Sequence, residues 1–168
     1  LAQVILDLYP NSKLTIGPPI ENGFYYDVDF QNSTFSENDF SKIENKMIEE
    51  ARKDHCFEMR EISNSDALSY YEKQKNEYKC ELIRGLGNEK ITFCDHANFT
   101  DLCKGGHIPS TKFIKSVKLL NTAGAYWRGD ENNKQLTRIY GISFPKEKLL
   151  KEYLQFCLLY TSDAADED

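Results

Sequence analysis

The sequence predicts an α+β domain with a largely antiparallel sheet and packed helices. Three observations lead there. Helix-like and strand-like segments follow one another in mixed order, without the regular alternation of a parallel βαβ fold. Three strand-like runs, at 90–95, 99–103 and 117–122, come in succession. The composition supports a core: 168 residues, 40% hydrophobic and 12% aromatic, are enough for one globular domain. No internal repeat is visible.

Residues 1–9 read as the end of a helix, stopped by Pro10 and Asn11. Residues 13–20 contain Leu-Thr-Ile-Gly-Pro-Pro, a short strand running into a turn. Residues 24–30, Phe-Tyr-Tyr-Asp-Val-Asp-Phe, carry the aromatic content and alternation of a strand. The clearest helix spans 36–54. Ser36 with Asp39 resembles a capping box, and Phe40, Ile43, Met47 and Ala51 form an apolar stripe. Glu37 and Asp39 stand at its start and Arg52 and Lys53 at its end, as the helix dipole favours. Residues 57–62 alternate like a strand. A helix opened by Ser63 or Asn64 is predicted over 63–76, and a further one over 77–86. Residues 135–144 are strand-like. Pro145 opens a last helix through 156, proline being tolerated in a first turn.

The tail, 157–168, turns abruptly to small and acidic residues. It resembles the translation of a sequencing adapter and reads as a non-native acidic tail. The chain has no initiator Met and begins within an amphipathic pattern, which predicts a fragment cut at its start.

No apolar run approaches the roughly 20 residues that span a bilayer, and no secretory leader pattern is present. Five cysteines, an odd number without any Cys-x-x-Cys spacing, argue against a disulfide framework and for a reducing cytoplasm. Cys94 reads as core; only Cys103 has polar company. The formal charge of −6 argues mildly against a nucleic-acid binder. Without the four acids of the tail (Asp163, Asp166, Glu167, Asp168) it becomes −2. From Lys104 to Arg138 seven basic residues face two acidic ones, a net +5. A polyanion can dock on such a stretch, although a solvated basic face accounts for it too.

The densest chemistry lies in Asp101-Leu-Cys-Lys-Gly-Gly-His107. Cys103 and His107 are four apart and can face one centre. Asp101 is two before the cysteine, on the same side of an extended run. His107 can act as base or ligand, Asp101 can orient it or a water, and Cys103 can be ligand or wall. A zinc site takes three or four protein ligands, and no second His/Cys pair is present to complete one. On spacing alone, a turn holding a satisfied histidine remains the alternative. His55 and His96 read as structural or surface groups. A second run, Thr122 to Lys134, contains Tyr126-Trp127-Arg128-Gly129-Asp130. Trp127 can stack on a base and Arg128 can hold a phosphate; a core tryptophan followed by a hairpin turn is the competing reading. Gly17-Pro18-Pro19 lacks the spacing of a phosphate-binding glycine loop.

Together these residues resemble the threonyl-tRNA synthetase family, in its appended editing domain. Ile16-Gly-Pro-Pro-Ile-Glu-Asn-Gly-Phe-Tyr-Tyr-Asp27 is similar to that domain's opening loop and strand. Asp101 to His107 resembles its Cys-x3-His motif. Ala123-Gly-Ala-Tyr-Trp-Arg-Gly-Asp130 with Leu136-Thr-Arg-Ile-Tyr-Gly141 resembles its closing signature. The resemblance runs over 1–156 and implies a tRNA-editing domain lacking its N-terminal part.

The resemblance implies hydrolysis of serine wrongly attached to tRNA(Thr), by water attack on the aminoacyl ester. It places Lys79, Asp101, Cys103 and His107 in the catalytic site, with Tyr26 lining the pocket beside Arg128 as a second substrate-binding residue. A His-x3-His pair would lie upstream of Leu1, and Gln3 does not replace it. The implied partner is the tRNA(Thr) acceptor end, with a homodimer only for a full-length enzyme. No cofactor is expected within this chain. ATP, magnesium and zinc belong to a synthetic core outside it, so the fragment alone is expected to be inactive. A tRNA-binding module with its chemistry lost, and a free-standing zinc protein, are the rival expectations.

Overall fold

The computed structural model describes residues 1–165. In chain order the first half contains α1 (Ala2–Leu8), β1 (Lys13–Leu14), β2 (Pro19–Ile20), β3 (Gly23–Asp29), α2 (Phe40–Ala51), β4 (Glu58–Ile62) and α3 (Asn64–Lys73). The second half contains α4 (Glu77–Gly85), β5 (Ile91–His96), β6 (Phe99–Leu102), β7 (Ser116–Tyr126), β8 (Gln135–Phe144) and α5 (Glu147–Ala165). This is the predicted α+β architecture, and every strand pairing is antiparallel. The strands divide into two sheets. One runs β1-β3-β8-β7 with β2 also on β3; the other runs β4-β5-β6.

Each sheet has its own apolar cluster. In the first, Tyr26 and Val28 of β3 and Phe30 just after it pack with Val4 and Ile5 of α1, Phe40 and Ile43 of α2, Leu119 and Ile139. In the second, Ala67 and Tyr71 of α3 and Cys80 and Ile83 of α4 pack on Ile91 and Phe93 of β5. α4 also reaches a third cluster, where Tyr78 meets Trp127 and Leu136. One helix therefore touches both sheets' surroundings, which matters for the site.

The local signals act as their chemistry requires. Ser36 accepts from the Asn38 amide while Asp39 accepts from the Ser36 amide, forming the predicted capping box at a single 3₁₀ turn before α2. Ser63 caps α3 by accepting from the Asp66 amide. Asn76, unremarked in the sequence, caps α4 through the Lys79 amide.

Three boundaries differ from expectation. β7 extends to Tyr126, because its register with β8 continues to Gln135 beyond a bulge between Leu119 and Asn121. Residues 13–20, expected as a short strand running into a turn, form two short strands, β1 and β2, on either side of Gly17. The last helix begins at Glu147 and does not stop at 156: α5 continues to Ala165, through leucines and alanines with no Gly or Pro to end it. Residues 166–168, the rest of the expected acidic tail, lie outside the described residues. Among the described residues no helix is long and apolar enough to cross a membrane, and no cysteine forms a disulfide.

Candidate active site

Lys79 lies in the first turn of α4, where the Asn76 cap fixes the helix start and a second bond, Asn76 Nδ2 to the Leu14 carbonyl at 2.8 Å, ties that start to β1. Lysine in this position is almost wholly buried, at 2% exposure, so its ammonium needs partners. It donates to Asp101 Oδ1 at 2.7 Å and to Tyr26 Oη at 3.3 Å. Tyr26 in turn donates to Asp101 Oδ2 at 2.9 Å. Three elements of different origin thus meet: β3 of the first sheet, helix α4, and β6 of the second sheet. Two aromatic rings flank the ammonium, Tyr26 and Tyr71, with centroids 5.8 and 5.9 Å away.

The carboxylate is held from its own strand as well. The Leu102 amide donates both to Asp101 Oδ1 and to Tyr71 Oη, each at 2.9 Å. Burial and the Asp101 charge push the Tyr26 and Tyr71 hydroxyls well above the ordinary tyrosine value. Both therefore stay protonated at neutral pH, and Tyr26 donates its hydrogen bond to Asp101.

The chain then leaves β6 into the Gly105-Gly106 turn. Both glycines have φ in the left-handed region, +115° and +84°, a conformation open to glycine. The turn folds His107 back so that its Nε2 lies 2.8 Å from Cys103 Sγ. The Gly105 amide donates to the same sulfur at 3.3 Å. Phe57 supports the imidazole by parallel stacking, with centroids 5.1 Å apart and planes at 9°. Thr92 fixes the start of the turn, its hydroxyl donating to the Cys103 carbonyl. Cys103 is half-buried and His107 exposed, so the pair opens to solvent, whereas Lys79 and Asp101 are at 3% and 19% side-chain exposure.

His96 sits on the other side of Phe57, 4.7 Å between centroids, and hydrogen-bonds Gln3 at 2.9 Å. Burial, then the positive charges of the Leu1 amino group, His55 and His107, lower its pKa to about 4. Cys94, paired in register with Asp101, is raised to about 11 by burial and by neighbouring Cys103. It is an inert core thiol, as the sequence implied.

The structure brings Tyr26, Lys79 and Asp101 into one hydrogen-bonded cluster and Cys103 and His107 into another on the adjoining turn. It does not bring Arg128 to either. The Arg128 guanidinium donates to Glu81 Oε1 at 2.8 Å, on α4 but two residues beyond Lys79. Trp127 is buried against Tyr78 and donates to Glu81 Oε2, so it follows the core reading and not the base-stacking one. Sequence reasoning passed over Asn76, Tyr71 and Phe57. Asn76 carried a signal, a capping residue before the helix of Lys79; the two aromatics had none, since their roles arise only from packing. Cys103 and His107 offer two donors, and among the described residues no group of three or more His, Cys, Asp and Glu is arranged to hold a metal.

Comparison with known proteins gives the same direction. Residues 91–140 match the family described as the threonyl and alanyl tRNA synthetase second additional domain. That match includes Asp101, Cys103, His107 and Arg128 and excludes Tyr26 and Lys79. Over 155 residues, 92% of this chain, the sequence is 57% identical to a threonine–tRNA ligase of Flavobacterium psychrophilum and 59% identical to that of Flavobacterium johnsoniae. A threonine–tRNA ligase of Clostridioides difficile is 54% identical over the same length. The chain spans 24% of the length of each of these relatives. Over nearly its whole length the chain is thus similar to one segment of the threonine–tRNA ligases, and residues 91–140 match the second additional domain that threonyl and alanyl tRNA synthetases carry.

Proposed function

We propose that this segment is the editing part of a threonine–tRNA ligase and hydrolyses serine from mischarged tRNA(Thr). The observation that carries the reading is the pairing of an open Cys103–His107 couple with a buried Lys79–Asp101–Tyr26 cluster on the adjoining strand. The need for such a site is physical. Serine is smaller than threonine by one methyl group, and a pocket shaped for threonine separates the two by only about 1–3 kcal/mol. A second site that admits the smaller side chain restores accuracy.

In this reading the seryl ester lies over the Gly105-Gly106 turn and water attacks its carbonyl. His107, oriented by Phe57, moves the proton. Lys79 supplies positive charge towards the developing oxyanion, Asp101 holds Lys79, and Tyr26 forms a wall. Cys103 fixes the imidazole and shapes the pocket. Arg128, bound to Glu81, is proposed to meet the tRNA acceptor end outside this pocket. The reaction uses water alone; ATP, magnesium and zinc belong to the synthetic core. A cytoplasmic location accords with the unpaired thiols of Cys56 and Cys103.

The test places residues 1–156 in the corresponding segment of the Flavobacterium johnsoniae enzyme. The chimera should release serine from seryl-tRNA(Thr) and leave threonyl-tRNA(Thr) intact, while the segment alone should act at the background rate. His107→Ala in the chimera should slow serine release by about 10²–10⁴-fold. A chimera that charges threonine normally but leaves seryl-tRNA intact would sink the proposal and favour a module that only binds the acceptor end.

A further inference from the structure

Beside the Lys79–Asp101 pair lies a small cavity of about 30 Å³, which neither Cys103 nor His107 lines. Leu6, Leu14 and Tyr71 form its apolar wall, and Ser12, Asn76, Lys79, Thr100 and Asp101 turn it polar. Ser12 is 8% exposed, and its hydroxyl is the one buried side-chain oxygen or nitrogen without a hydrogen-bond partner among the described residues. A buried hydroxyl left unsatisfied costs about 1–3 kcal/mol, so natural structures rarely keep one. Lys79 has a matching surplus. An ammonium has three protons; two go to Asp101 and Tyr26, and the third has no acceptor among the described residues.

We propose that this cavity is a water-binding site whose ordered water bridges Ser12 Oγ to the Lys79–Asp101 pair. Ser12 is then a positioning residue for Lys79. The volume suits one or two waters, for which roughly 10–15 Å³ of such space is the lower bound, and several polar partners surround it. The water accepts a hydrogen bond from the third ammonium N–H and donates to Ser12 Oγ or to a carboxylate oxygen. This holds the ammonium from three directions and fixes which way it faces. The assignment of Lys79 to hydrolysis rests on the proposed function; the water site itself does not.

The experiment therefore reads the water and the lysine directly, in the 168-residue chain labelled with ¹⁵N-lysine. A water-to-ammonium cross-relaxation signal at Lys79, with slow proton exchange, is expected in the unsubstituted protein. Its absence would overturn the proposal even if no variant folded. Ser12→Ala should shift the Lys79 ¹⁵Nζ resonance and lower the folded-to-unfolded ratio in urea by about fivefold or more. If the hydroxyl were truly unpartnered, Ser12→Ala would raise stability and leave the resonance in place, which also overturns the proposal. Serine release by the chimera decides the function separately, and loss of that activity with the lysine signal intact would refute only the hydrolytic reading.

Discussion

At the scale of single residues, the site depends on a charge that is buried only because it is matched. Lys79 lies at 3% side-chain exposure and Asp101 at 19%. Pairs of this kind add little net stability as pairs, yet breaking one is costly, because the surviving charge stays behind without its counter-ion. Lys79→Met should therefore destabilise the chain by about 3 kcal/mol or more, measured by urea unfolding. The same change at Arg128, whose guanidinium is half exposed beside Glu81, should cost under about 1 kcal/mol. Equal losses at the two positions would refute the distinction. The sequence revealed Asp101, Cys103 and His107 because their spacing is local. Lys79 carried no such signal in its own surroundings: it stands in an ordinary helical string, Glu77-Tyr-Lys-Cys, and only the resemblance singled it out. Its partner is 22 positions away, brought near by the packing of α4 on the sheet that contains β5 and β6.

At the scale of elements, the position of Tyr26 is set by the loop before it. Gly17 lies against the Tyr26 ring so closely that a Cβ there would stand 2.1 Å from Tyr26 Cδ2. Gly17→Ala should push the ring away and withdraw its hydroxyl from Lys79 and Asp101. The expected outcome is a loss of about 1–3 kcal/mol in stability, together with a fall in chimera hydrolysis, and a crystal structure of the variant with an unmoved Tyr26 would refute it. This explains why the short strand predicted within 13–20 stops at its turn and a second short strand follows it. Alternation and a Gly-Pro-Pro signal indicated a turn, but not that a ring from the next strand fills it. The long β7 was under-read for the opposite reason: Ala123, Gly124 and Ala125 have little strand propensity, and pairing with β8 overrides it.

At the scale of the whole molecule, the α+β class was legible because strong aromatic strands and one well-capped helix dominate the pattern. The division into two sheets was not, since no local signal says which strands will pair. Where the two sheets meet, buried titratable groups couple the fold to pH. His96 binds its proton about two and a half units less readily in the folded chain than its ordinary value of 6.5, its pKa being about 4. The unfolded chain takes up that proton first as pH falls, so the contribution of His96 to stability is complete above about 6.5 and declines from there towards 4. Asp29 and Asp95, held below their ordinary 3.8 by Tyr78 and Arg60 respectively, lose their contribution only at lower pH. His96→Gln should flatten the decline between pH 6.5 and 4 in urea titrations and leave the lower limb unchanged. An unaltered slope would show that His96 does not govern it.

β3 carries a less obvious consequence. Tyr26 faces the cluster while its neighbours Tyr25 and Asp27 are taken up by Arg138, which lies 4.1 Å over the Tyr25 ring and donates twice to Asp27. Pairing with β1 and β2 on one edge and β8 on the other pins this alternation from both sides. Because strand side chains alternate with period two, loss or gain of one residue within β3 would exchange the two sets. With one residue lost, the Asp27 carboxylate would face Lys79 and Arg138 would lose its carboxylate partner. Substitution can explore chemistry at this site one side chain at a time, whereas a single-codon insertion or deletion in β3 would invert its polarity in one step. The strand therefore acts as a reading frame for the site, and its length is under stricter constraint than most of its letters.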